Sequence, residues 1–360
     1  MASSRKTDPK LFVFPGNIEP DVLAAGHGQV PYARTQQFGS LVIECERWLL
    51  HLLGCTGGRV IPLTASGTAA MEAIVANITD EDSQILAVDG GTFGKRWVEM
   101  LRLYPHARVD VVNAPFGKDL DYGRMEEMLT HGRYRALFMQ HHETSSGALF
   151  NVARLGATCR KVGTLFVVDA ISSFLADEFS MDEFAIDAAV ISSHKGLCLP
   201  PGLAFVVLSE RLLSEPFQRR CTYLDFTENL RSLERGQTLF TPAVLAFLQL
   251  HWRLQGFAER GVSTVIESVS AKAMAFRALL LKDRRVMVSE VPSNCLTSFR
   301  LKCGARDLVT RLAQSGWYVL PSSEQDQIRV AHLGASSVLD HDMLYERICE
   351  IEDKLCGGTA

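Results

Sequence analysis

Between residues 59 and 209 the chain repeats one pattern: a short run rich in Val, Ile, Leu and Ala, then a segment of helical period. The runs are "RVIPLT" (59–64), "QILAVD" (84–89), "RVDVVN" (108–113), "RALFMQ" (135–140), "TLFVVD" (164–169), "DAAVIS" (187–192) and "LAFVVLS" (203–209). Most are apolar throughout. A strand with no wet face must be covered on both sides, which is the signature of a sheet packed between two helical layers. Helical segments fall between the runs at 67–78, 94–104, 121–131 and 151–162. The alternation predicts an α/β fold with a mostly parallel, seven-stranded sheet.

Length and texture extend this reading. At 360 residues the chain exceeds the roughly 250–300 residues that one core sustains, so a smaller second domain is expected. After about residue 240 the alternation stops. A long helical stretch, 242–283, is broken near Gly256 and Gly261. Short strands near 296–301, 317–320 and 327–331 follow, with helices near 305–315 and 340–355. The expected division is an N-terminal segment (1–20), a large domain (21–250) and a small α+β domain (251–360). With 37 basic and 41 acidic side chains the net charge is −4; no basic run argues for nucleic acid. Nine cysteines without a C-x-x-C pair read as reduced thiols of a cytoplasmic protein, not a disulfide framework or a zinc site. The start "MASSRKTDPK" has no apolar leader. No apolar stretch reaches the ~18 residues of a membrane span.

Ligands of open parallel sheets bind beyond the carboxyl ends of the strands, and four residues or clusters that follow strands carry chemistry. Ser66-Gly67-Thr68 opens a helix after the first run. Free amide N–H groups and the helix dipole make such a start a phosphate cup, although an ordinary N-cap would use the same residues. It is neither a Walker loop nor a G-x-G-x-x-G turn. Asp169 ends an apolar run and would need a cationic partner if buried. Lys195 stands between two apolar runs in "ISSHKGLCLPPG"; desolvation there would favour its neutral amine, although a snorkelling lysine fits the same place. Arg329, in "DQIRVAHLG", could clamp a carboxylate or lie on a surface strand. Pyridoxal 5′-phosphate needs this set: an anchored phosphate, a protonated ring nitrogen and an aldehyde held as an imine.

The sequence also resembles a family over most of its length, from Leu11 to the C-terminal helix. The matching stretches are "FPGN", "ASGTAAMEAIVAN", "GGTFGKRWVEM", "HHETSSGALFNV", "VVDAISSF", "ISSHKG…PPGLAFVVLS", "LFTPAVLAF" and "IRVAHLG". They resemble the class V, fold-type I aminotransferases, with 2-aminoethylphosphonate–pyruvate transaminases nearest and alanine–glyoxylate and serine–pyruvate transaminases next. By that resemblance Ser66, Gly67 and Thr68 hold the cofactor phosphate, and Phe93 and Ile171 cover the two faces of its ring. Thr144 bonds the ring hydroxyl, Asp169 the ring nitrogen, and Lys195 forms the Schiff base. His194 sits near the phosphate, Arg329 binds the substrate carboxylate, and Thr241 reaches the phosphate of the neighbouring subunit, since the family is dimeric with shared sites.

The sequence departs from the family in four places. His194 stands where relatives have an amide. "SSFLADEF" replaces "SSFGG", "FTP" is one residue shorter than "FTSP", and "PGN" replaces "PGP". These bear on substrate identity more than on cofactor binding. His141 and His142 could suggest a metal pair, but neighbouring strand residues face opposite sides; no metal is expected. The implied activity moves an amino group from a small amine or amino acid to a 2-oxo acid such as pyruvate or glyoxylate. A lyase or desulfurase on the same scaffold, or a silent pyridoxal-binding protein, is the alternative. Cys295 and Cys303 flank a predicted strand, so neither is assigned as a desulfurase cysteine. Arg34, in "YARTQQF", could assist a second substrate charge or be an ordinary surface arginine.

Overall fold

The computed structural model describes residues 8–103, 107–322 and 324–356. Its larger sheet has seven strands in the spatial order Arg59–Leu63, Ala204–Leu208, Ala188–Ser192, Leu165–Asp169, Ala136–Gln140, Gln84–Asp89 and Arg108–Asn113. All are the strands expected from sequence. Only Ala204–Leu208 runs against its two neighbours; the remaining pairs are parallel. The four strands from Ala204 to Gln140 in this order are buried at every residue, which is why they read as unbroken apolar runs.

The connecting helices are Gly67–Ile78, Thr92–Arg102, Tyr122–His131 and Val152–Val162. Their ends follow local chemistry. Asp121 and Asn151 accept hydrogen bonds from the backbone N–H of Arg124 and Arg154, satisfying amides that the first helical turn leaves free. Gly163, at φ 81°, ends the last of them in a left-handed turn, as helix C-termini favour. The second helix starts at Thr92 rather than 94; Tyr104, assigned to it from sequence, lies outside the described residues. Residues 1–7 and 357–360 of the terminal segments do so too.

The second sheet is built from Lys10–Phe12, Trp317–Pro321, Gln327–Ala331 and Leu296–Arg300, in that order. Phe12, Phe276, Phe299, Ile328, Leu344 and Ile348 form its core. Lys10–Phe12 pairs in parallel with Trp317–Val319, so part of the N-terminal segment belongs to the C-terminal sheet. The long helical stretch divides into Val244–Arg260 and Val262–Lys282. The break is at Gly261, whose φ of 81° few side chains tolerate; Gly256 lies inside the helix. Residue 250 therefore falls within a helix whose Leu250, Leu254 and Phe257 still pack in the large core. Among the described residues no helix is long and apolar enough to cross a membrane.

Gly156 fixes how closely a helix can lie on the sheet. A Cβ there would stand 1.8 Å from the Phe184 carbonyl oxygen and 3.2 Å from the Phe166 ring. Gly156→Ala should therefore cost at least about 1–3 kcal/mol, as overpacking does. In urea denaturation the midpoint should fall with the slope unchanged.

Candidate active site

The register of the large sheet brings the chemical residues together. Gln140 pairs with Asp169, and Asp169 with Val190, so the first two strands end level and the third runs two residues further, to Ser192. Lys195 follows the third strand by three residues. Its side chain is buried, and its Nζ lies 3.4 Å from the centroid of the Phe14 ring, a cation–π distance. Burial brings the lysine down to about 8; Cys295 and Asp169 pull it up and Arg329 pushes it down. Burial likewise brings Asp169 up to about 7, with Glu143 adding to the rise and Lys195 and Arg96 opposing it. Asp169 accepts one hydrogen bond, 2.8 Å from the amide of Ile171. In both groups desolvation outweighs their mutual attraction, so the carboxylate lacks a close, full-strength cation.

Glu143, which sequence reasoning missed, organises the opposite wall. It is fully buried in the hairpin His142–Glu143/Ala148–Leu149. Its carboxylate accepts from the amides of Phe93 and Gly94 at 3.0–3.3 Å, from Ser145 N at 3.1 Å and from Gln140 Nε2 at 3.1 Å. An anion at the first turn of Thr92–Arg102 satisfies orphan amides and meets the positive end of the dipole, and it anchors Phe93 through its backbone. Arg96, one turn on, lies 4.9 Å from the Phe93 ring and donates to Thr68 Oγ1 at 2.9 Å. The signal in sequence was a carboxylate three residues after an apolar strand, in "FMQHHETSSG".

A hydroxyl relay lines the floor. Ser172 Oγ lies 2.8 Å from both His142 Nδ1 and Thr144 Oγ1. His142 Nε2 is buried without a partner, and burial holds this ring well below the ordinary histidine range. His141 packs its ring against Phe179, 5.7 Å between centroids. Burial also takes His194 down to about 4, with Lys195 adding to the effect, so it is neutral at physiological pH.

Ser66 is the N-cap of Gly67–Ile78 and its side chain makes no capping bond. A Cβ on Gly67 would meet Ile171 Cδ1 at 2.5 Å, so a larger residue would push the end of the Ile171 side chain away from the helix start. Arg329 donates from Nη1 to the Thr144 carbonyl at 3.0 Å and from Nη2 to the Pro321 carbonyl. Its Nε is buried and unpartnered. Two of a guanidinium's five N–H groups are thus occupied. Thr241 is exposed on a loop tied by the Ala243 amide to Thr64 Oγ1 at 3.0 Å, apart from the buried cluster of Asp169 and Lys195. Arg34 is held at the surface by the Thr238 carbonyl, 2.7 Å away. Leu175, in the departing "SSFLADEF", has φ 62°, a left-handed angle that a bulky side chain rarely adopts.

These residues fit pyridoxal phosphate on their own chemistry. The buried carboxylate lacks a close cation, the buried amine is near neutrality, and an uncapped helix start faces a side chain that would cover a flat ring. The "Aminotransferase class-V" family model matches residues 21–316. The chain belongs to the class-V aminotransferase family. It is a pyridoxal phosphate-dependent aminotransferase of fold type I. It is 29% identical to the L-aspartate–glyoxylate aminotransferase of Paracoccus denitrificans, over 66% of this chain and 61% of that one. It is 28% identical to a protein of Anabaena cylindrica named the soluble hydrogenase 42 kDa subunit, over 86% and 84%. The solved structure of an aspartate aminotransferase from Thermus thermophilus superposes with a TM-score of 0.88 at 25% identity, covering 95% of this chain and 98% of that one.

The lysine sets a pH dependence. Its amine is the reactive form, and its titration near 8 lies below the ~10.4 of a free side chain. With Lys195 as the amine that captures the cofactor, the role proposed below, the capture rate of the cofactor-free enzyme should rise about tenfold per pH unit below about 8, then level off. Stopped-flow absorbance after mixing with pyridoxal phosphate reads this directly. Because the folded state binds the proton less tightly than the unfolded chain, the cost of burying the lysine is largest below pH 8 and fades as pH rises toward 10.

Proposed function

We propose that this aminotransferase transfers the amino group of a small amino acid or amine to glyoxylate or pyruvate, with Lys195 moving the proton and Asp169 holding the ring nitrogen charged. The buried pair of Asp169, at the end of one strand, and Lys195, three residues beyond the end of its neighbour, carries this reading. Ser66, Gly67 and Thr68 hold the phosphate at the helix start, with Arg96 lending charge through Thr68. Phe93 and Ile171 enclose the ring, and Thr144 bonds its hydroxyl. When bound, pyridoxal phosphate supplies an electron sink for the charge left as the substrate C–H bond breaks, and it carries the amino group between the two half-reactions.

In this mechanism Lys195 would hold the cofactor through its amine and, once free, would serve as the base within the site. Its position close to neutrality would let its amine take and return the proton of the substrate carbon. Asp169, with its negative charge otherwise uncompensated, stabilises a proton on the ring nitrogen. Arg329 orients the carboxylate of donor and acceptor in turn through its three unoccupied N–H groups. Neutral His194 acts as a hydrogen-bonding neighbour of the phosphate with no proton-transfer role.

The named relatives favour glyoxylate as an acceptor, since the Paracoccus denitrificans protein and those of Hyphomicrobium methylovorum and Drosophila melanogaster carry it in their names. The desulfurase reading is disfavoured. Cys295 is fully buried, and burial raises its thiol far above the usual range, so no ready thiolate exists there. A homodimer is supported by exposed Tyr32, Tyr223, Phe240 and Leu245, with exposed Thr241 completing the phosphate site of a second copy. Cytoplasmic location is supported by nine cysteines among which no disulfide forms.

Single half-reactions test the reading. The purified holoenzyme, mixed with alanine, serine, aspartate and 2-aminoethylphosphonate in turn, should lose its visible absorbance with at least one donor and regain it with glyoxylate or pyruvate. Absence of change with every donor, in a protein that retains cofactor, would remove transamination of these compounds. Arg329→Lys keeps the charge and loses the fork. It should raise the apparent KM for donor and oxo acid together by about tenfold or more, the equivalent of one charge-assisted hydrogen bond, with the resting spectrum intact.

A further inference from the structure

Behind the lysine loop lies a cavity of about 210 Å³ whose walls take no residue from the site described above. Gly196, the residue after Lys195, forms one wall. Gly334, beyond the strand that carries Arg329, forms another. Three cations face this space, Arg253, Arg260 and Lys272, against one carboxylate, Glu19. The hydroxyls of Thr264 and Ser268 line it as well.

The charges are poorly matched. Glu19 is engaged by Arg253 Nη1 at 2.7 Å and faces Arg260 Nη1 at 4.0 Å. Arg253 is 4% exposed, and its Nε is buried with no partner. Lys272 is 5% exposed, and its ammonium donates to the carbonyl of Gly334 at 3.0 Å. The next carboxylate in its field, Asp340, is already paired with Lys10 at 2.6 Å. Burying an ammonium opposite a carbonyl alone is costly, and burial moves Lys272 below the ordinary lysine range, with Cys198, Asp340 and Glu19 opposing that shift only in part.

We propose that this cavity is a binding site for a small dianion, a phosphate or a short dicarboxylate, held by Lys272, Arg253 and Arg260 with Thr264 and Ser268 as further donors. Such a ligand supplies negative charge beside the Arg253 guanidinium and the Lys272 ammonium. It also bridges the loop after Lys195 and the segment after the Arg329 strand, so its occupancy bears on how the two halves of the active site are held.

Calorimetric titration of cofactor-saturated enzyme tests this, with inorganic phosphate and malonate as separate probes. One anion per chain should bind beyond the cofactor. Lys272→Gln should weaken it by about tenfold or more, as the loss of a charge-assisted bond does. Arg260→Gln, at a half-exposed position, should weaken it in the same direction and guards against misfolding of the lysine variant. Arg329→Lys should leave it unchanged. Tighter binding of malonate than phosphate assigns an organic diacid, and the reverse assigns phosphate. Absence of binding at millimolar concentrations overturns the proposal. So does binding that survives both cavity variants and fails in Arg329→Lys, because the anion would then occupy the substrate site.

Discussion

Everything in this molecule is arranged around burying two opposite charges that do not neutralise each other. Asp169 and Lys195 lie at the ends of two adjacent strands, and desolvation moves each toward its uncharged form. A simple ion pair would have pulled them the other way. The strain of that arrangement is the functional content of the site. In the proposed reading, a carboxylate short of a cation would take a protonated ring nitrogen as its partner, and a lysine short of an anion would be ready to act as a base. The seven-stranded sheet supplies the rigidity that keeps both groups from relaxing toward each other or toward water.

Several of the surrounding polar groups are tied to protein partners, which fixes their orientation. Glu143 spends its oxygens on backbone amides and on Gln140, so the helix bearing Phe93 and Arg96 has a single seat. Ser172 ties His142 to Thr144, which presents a neutral, ordered hydroxyl rather than a titrating one. Arg329 is held by two carbonyls and still has donors to offer. Preorganisation of this kind is what a site needs if its dipoles are not to reorient during the reaction.

The large sheet was legible in sequence because its strands have no wet face, so composition alone marks them. The small sheet was only partly so. Lys10–Phe12 is three residues long and pairs with a strand more than 300 residues away, a contact that no local pattern encodes. The choice between Gly256 and Gly261 as the helix break turned on backbone angle, which sequence does not display. Asp169 and Lys195 could be picked out because ionisable residues interrupt apolar runs. Glu143 obeys the same rule, yet it went unread amid the neighbouring histidines and hydroxyls. Phe14 and Arg96 lie in stretches that carried the family resemblance, but their contacts with Lys195 and Thr68 are long-range, so their part in the site was not read from sequence. The basic cavity behind the lysine loop draws on residues from 19 to 334 and is visible only in three dimensions.

The central proposal is that the uncompensated charge of Asp169 holds the cofactor's ring nitrogen protonated. Nitrogen NMR of the enzyme reconstituted with ring-¹⁵N pyridoxal phosphate reads that proton directly. The account predicts a pyridinium signal at pH 8 in the wild type and a neutral pyridine signal in Asp169→Asn. A neutral ring nitrogen in the wild type at that pH would contradict it.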